Sequence, residues 1–139
     1  MRILITAISA LALAAICAGQ DQKAQVKKVR IEYTQPGSGV DMFKGYCAPC
    51  HGNDGKGTGP AAAALKKAPA DLTALTRKNN GKFPELEVTN TIRGEGGASH
   101  GSRDMPMWGD LFRSVSADHM VVDLRVKNLS DYIRSIQDK

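Results

Sequence analysis

One stretch constrains this chain more than any other: Gly39-Val-Asp-Met-Phe-Lys-Gly-Tyr-Cys-Ala-Pro-Cys-His-Gly52. At its centre stand Cys47, Cys50 and His51 in a C-x-x-C-H pattern. On a helical turn, positions i, i+3 and i+4 share one face. Both thiols and the imidazole therefore project the same way. Phe43 lies four residues before Cys47 and Gly39 four before that, close to one face of the same helix.

Several uses of such a face compete. A thioredoxin-like redox pair needs a βαβ context, and the surrounding pattern has none. A zinc knuckle needs two more ligands at short spacing. The third and last cysteine, Cys17, sits in the apolar N-terminal segment, so that site cannot be completed. A structural disulfide between Cys47 and Cys50 leaves His51 without a role. The remaining use takes all three residues. Two thiols add to the two vinyl groups of one haem, giving haem c, while the neighbouring neutral imidazole reaches its iron. Cys47 and Cys50 are thus the attachment residues, and His51 is an iron ligand.

The N-terminus agrees with that chemistry. Residues 1–19 have a basic start at Arg2, an apolar run and small residues at the end. This is the pattern of a secretory signal peptide, with cleavage expected after Gly19. The apolar run is short for a bilayer span, and no later segment is long and apolar enough for one. An acylated Cys17 is disfavoured because bulky Ile16 precedes it. The chain is expected to be exported to the periplasm, where c-type haem is attached. Removal of residues 1–19 deletes Arg2 and no acid, so the formal charge of +5 falls by one. That mild basicity gives no case for nucleic acid. A small domain with few aromatics gains an apolar body for its core from a covalent haem.

Residues 20–37 are polar and basic, with Lys23, Lys27, Lys28 and Arg30, and form a linker or arm. Val29 to Tyr33 alternates weakly, like a short strand. Residues 38–139 form the domain. A first helix is expected over Ser38–Cys50, with Ser38 as N-cap, Pro49 distorting the last turn and Gly52 ending it. Asn53 to Pro60 is a Gly-rich loop. It lacks the Gly-Lys-Ser/Thr ending of a phosphate loop, so it is expected to pass close to the haem edge. The Pro60 carbonyl is the expected acceptor for the second ring nitrogen of His51. Ala61 to Lys67 forms a short helix or turn. Asp71 caps a second short helix over Leu72–Lys78. Pro84, at a first helical position, opens Glu85–Arg93, and Gly94 stops it. The last helix covers about Ala117–Gln137, with Val122, Val126, Leu129, Tyr132, Ile133 and Ile136 on its apolar face. Leu129 and Tyr132 should cross Gly39 and Phe43.

A second axial ligand is expected in the loop before that helix. Met105, stiffened by Pro106, is the choice, because a thioether favours ferrous iron. Met107 is the fallback and otherwise core, with Trp108 covering the haem. His100 offers bis-imidazole ligation but reads as a solvated loop histidine. His119 and Met120 read as structural or exposed.

With Gly39-x-x-x-Phe43, Cys47-x-x-Cys50-His51-Gly52, Gly59-Pro60, Met105-Pro106-x-Trp108-Gly109 and Leu129-x-x-Tyr132 assembled, the chain resembles the bacterial class I cytochromes c. The resemblance is to the monohaem, mitochondrial-like kind and covers about Ser38–Gln137. It implies an all-α cytochrome c fold, with N- and C-terminal helices crossing and short helices and loops wrapped around one haem. It also implies thioether links to Cys47 and Cys50, axial ligation by His51 and Met105, and electron transfer in a respiratory chain. The long Gly-rich approach to Met105 and the basic arm depart from that family.

The expected function is a one-electron carrier, not an enzyme. No catalytic triad, paired acids or nucleophile with an adjacent base is in the sequence. Lys56, Lys66, Lys67, Lys78, Lys82 and Arg103 are expected to steer acidic redox partner proteins, a donor and an acceptor. Two alternatives stand beside this. One is a haem-c subunit of a larger respiratory or dehydrogenase complex, tethered by the arm. The other is a five-coordinate haem peroxidase or gas-binding protein, with Met105 off the iron.

Overall fold

The computed structural model describes residues 33–95 and 105–138. The signal segment, arm residues 20–32, His100 and Arg103 lie outside them. Among the described residues every regular element is a helix and none is a strand, so the fold is all-α. No helix of these residues is long and apolar enough to cross a membrane.

The first helical run covers α1 (Gly39–Met42), a π turn (Phe43–Cys47) and α2 (Ala48–His51). Ser38 caps it as expected, its side chain accepting from the Asp41 N–H. The distortion expected from Pro49 is present but lies upstream. The Ala48 N–H donates to Phe43, one residue further back than in an α-helix. Proline lacks an N–H and its ring crowds the preceding turn, so the ladder widens just before it.

Ala62–Ala64 is a single 3-10 turn. Asp71 then caps a 3-10 turn at Leu72–Ala74 that runs into α3 (Leu75–Lys78). The helix α4 (Glu85–Arg93) is closed by Gly94 as the sequence implies, but Pro84, expected at its first helical position, stands just outside as the N-cap. The helix α6 (His119–Ser135) is capped by Asp118, whose side chain accepts from the Met120 N–H.

One helix was not expected. Trp108–Val115 forms α5. It is short and has no side-chain N-cap, so its local signal is weak. Packing supplies what propensity does not. Trp108 and Phe112, one turn apart, are both buried, and Gly109 lets α5 meet the last carbonyl of α4 at Arg93.

The core joins Met42, Phe43 and Tyr46 of the first helical run to Val88 and Ile92 of α4, Phe112 of α5, and Val122, Val126, Leu129 and Ile133 of α6. The crossing of the first and last helices is where the sequence placed it. A Cβ on Gly39 would overlap the Asn128 carbonyl oxygen, and the Phe43 and Tyr132 rings lie 5.0 Å apart. The arm residues that are described lie on this crossing. Thr34 hydrogen-bonds Tyr46 at 2.9 Å, and the Pro36 carbonyl accepts from Asn128.

Candidate functional site

Cys47 is buried, Cys50 is half-buried, and both are free thiols. Burial, with Cys50 nearby, pushes the Cys47 thiol up to about 12. His51 follows on the same helical turn and is half-buried. Among the described residues no group of three or more His, Cys, Asp or Glu is placed to hold a metal ion by itself.

The Nδ1–H of His51 donates to the carbonyl oxygen of Ala70 at 2.9 Å. This corrects the expected partner, Pro60. The loop after Gly52 does not bring its own carbonyls to the imidazole. It turns under the end of α2 and donates to it. The carbonyls of Ala48, Pro49, Cys50 and His51 accept from the N–H groups of Gly52, Ala61, Gly59 and Gly57 respectively. All four carbonyls that a helix end leaves orphaned are thereby satisfied. The Gly-rich loop is thus a cap on the thiol-bearing turn. A Cβ on Gly59 would come within 2.5 Å of the Ala48 and Pro49 carbonyl oxygens.

The same loop brings in the segment that backs His51. Gly57, at φ +84°, lies directly under the Pro69 carbonyl, and the Leu72 N–H donates to Gly55 at 2.8 Å. Between these anchors Ala70 is held with its carbonyl toward the ring. A sign of this was in the sequence, where Pro69 and the cap Asp71 flank Ala70. Burial lowers the His51 pKa, and the bond to Ala70 opposes that shift. The neutral ring therefore carries its proton on Nδ1 and a lone pair on Nε2.

Met105 is half-buried and packs against the core. Met107, expected in the core if not a ligand, is instead 58% exposed. Its side chain reaches back over Gly94 at the end of α4, because its backbone is committed to starting α5. Trp108 is buried and stacks on Tyr46 at 5.3 Å. The segment carrying Met105 is therefore tied, three residues on, to the residue that precedes Cys47. His119 and Met120 are exposed, as expected, and so are Lys56, Lys66, Lys67, Lys78 and Lys82.

The chemistry of the donor set fits a covalent haem. Two free thiols and an imidazole lone pair share one turn, with a soft thioether on the Trp108 segment. Leu72, Leu75, Phe83, Met105 and Leu111 pack on the core yet keep part of their apolar surface uncovered. An added apolar body would bury that surface at roughly 25 cal/mol per Å². Sequence reasoning missed Tyr46, Phe112 and Arg125 here, because only the fold brings them together.

No family model matches this chain, and neither the curated proteins nor the solved structures contain a match to it.

Proposed function

We propose that this protein is an exported, periplasmic one-electron carrier of the class I cytochrome c kind, with one haem c attached through Cys47 and Cys50. The observation that carries the reading is the His51–Ala70 hydrogen bond beside two free thiols. A ligand imidazole is commonly held in this way, by its second nitrogen on a carbonyl. The haem, when bound, supplies an iron that alternates between ferric and ferrous.

The chain's own residues do the rest. Cys47 and Cys50 hold the group. His51 would hold the iron through Nε2, and Met105 would offer its thioether as a second ligand. Capping of α2 by the glycine loop would hold the attachment turn in one conformation whichever charge the group carries. The half-covered apolar residues would lose their remaining exposure to water against a bound haem. The exposed lysines 56, 66, 67, 78 and 82 steer acidic redox partners, with an on-rate that falls as salt rises.

The test is expression with export in a host that attaches c-type haem. The expected product is coloured, keeps its colour through acidified acetone, and is low-spin with the weak far-red band of Met–iron ligation. A colourless product, or haem extracted by the acetone, would end this reading. A high-spin product that binds CO readily would replace it with the five-coordinate alternative.

A further inference from the structure

Among the described residues Arg125 is the bulkiest fully buried side chain, and nothing in the carrier reading uses it. Its guanidinium is always charged. Nη1 donates to Thr34 Oγ1 at 3.2 Å and lies 3.7 Å from the Met42 sulfur. Among the described residues Nε and Nη2 have no hydrogen-bond partner. Among the described residues no carboxylate pairs with it. Its remaining neighbours are aromatic, with the guanidinium carbon 5.1 Å from the Tyr33 ring centre and 5.7 Å from that of Phe112.

As structure alone, this is an expensive arrangement. Cation–π contacts return less than the desolvation of a buried ion costs. Replacing a buried charge by an apolar side chain of similar volume is often neutral or stabilising. Packing alone does not account for the charge, and its position suggests a use. Thr34, which accepts from Arg125, donates to the Tyr46 hydroxyl at 2.9 Å. Tyr46 immediately precedes Cys47 and also packs on Phe112 at 5.8 Å. The cation is thus joined by two short side-chain routes to the residue beside the attachment cysteine.

We propose that Arg125 is a buried electrostatic tuner that raises the reduction potential of a haem held at Cys47. The proposal rests on the carrier reading above. In the reaction one electron passes from a reduced partner protein or an electrode to ferric iron, giving ferrous iron. No bond forms or breaks and no proton moves. The centre becomes one charge more negative, which a nearby cation favours. Because Arg125 is dry, salt screens it little.

The test is spectroelectrochemical titration of the holoprotein and of R125K, R125Q and R125M. R125K keeps the wild-type midpoint. R125Q and R125M titrate lower, with the ferrous-to-ferric ratio at the wild-type midpoint down about tenfold, the effect of one charge across roughly 12 Å at an effective dielectric of about 20. Their visible spectra stay those of the wild type, since the axial ligands are unchanged. R125M also unfolds in urea no earlier than the wild type. Unmoved midpoints in R125Q and R125M overturn the proposal, and so does an R125K shift equal to that of R125Q. It is overturned too if both neutral variants fail to fold while R125K folds, because the charge is then structural. Absence of covalent haem in the wild type removes the carrier reading first, before any Arg125 variant is compared.

Discussion

The Nδ1–H of His51 meets the carbonyl of Ala70 at 2.9 Å, although nineteen positions separate the two residues. The carbonyl is braced from the far end of the chain. Gln137 Nε2 donates to the Leu72 carbonyl at 2.6 Å, and Gln137 Oε1 accepts from the Thr76 N–H at 2.8 Å. The Asp138 N–H donates to the Thr73 carbonyl at 2.8 Å. The end of the last helix thus holds the turn that holds the imidazole.

Gly57→Ala tests that backing. The added Cβ drives into the Pro69 carbonyl at a positive φ, so the Pro69–Ala70 peptide shifts. A weaker bond to Nδ1 makes the imidazole a poorer donor to ferric iron. The midpoint potential should rise, and stability should fall by about 1–3 kcal/mol. Redox titration alongside urea unfolding reads both. An unchanged potential in a destabilised variant means Ala70 does not tune His51.

Met105 and Met107 separate cleanly by substitution. Met105→Ala should remove the far-red Met–iron band and open the iron to CO. Met107→Ala should keep the band, and because Met107 is largely exposed it should change stability by less than about 0.5 kcal/mol. Optical spectra of the two purified variants decide, and the opposite pattern would assign Met107 as the ligand.

Gly39→Ala attacks the helix crossing. Its Cβ overlaps the Asn128 carbonyl oxygen and stands 3.0 Å from the Tyr132 Cβ. Backbone has to yield, at a cost of about 1–3 kcal/mol. Gly37→Ala is the control, since a Cβ there meets nothing within 4 Å. Equal urea midpoints for the two variants would contradict the crossing.

Asp71 carries an acid-side dependence. The Thr73 hydroxyl is the main cause holding its carboxyl below the ordinary 3.8, against an opposing effect of burial, with the Thr73 N–H, Lys78 and Lys56 adding to the lowering. A depressed carboxylate contributes stability that is fully present above pH 3.8 and is lost as the pH falls through its folded-state value. Asp71→Ala should cost about 1 kcal/mol at neutral pH through the lost cap. The gap between wild type and variant should narrow below pH 3.8. Chemical unfolding from pH 6 to pH 3 checks this, and a gap that widens toward acid has the wrong sign.

Much of the chain was legible because its signals are local. Ser38, Asp71, Pro84 and Gly94 mark helix ends through bonds to residues a few positions away, and those ends are where the sequence placed them. The apolar stripe Val122, Val126, Leu129, Ile133 faces the core because a helix repeats every 3.6 residues. Trp108–Val115 escaped because its stability comes from Trp108 on Tyr46 and Phe112 on the core rather than from propensity or a cap. Met107 was assigned inward by type alone, and its exposure follows from where α5 begins.

What the amino-acid order decided unaided was which groups lie within one helical turn of each other: two thiols, an imidazole, and the caps around them. Spacing along a helix needs no partner, so it can be read without a fold. Which carbonyl backs His51, what closes the end of α2 and where the charge of Arg125 lies were settled only when distant segments packed. Those relationships join residues brought together by burial of a shared core, and no short window of sequence contains both members.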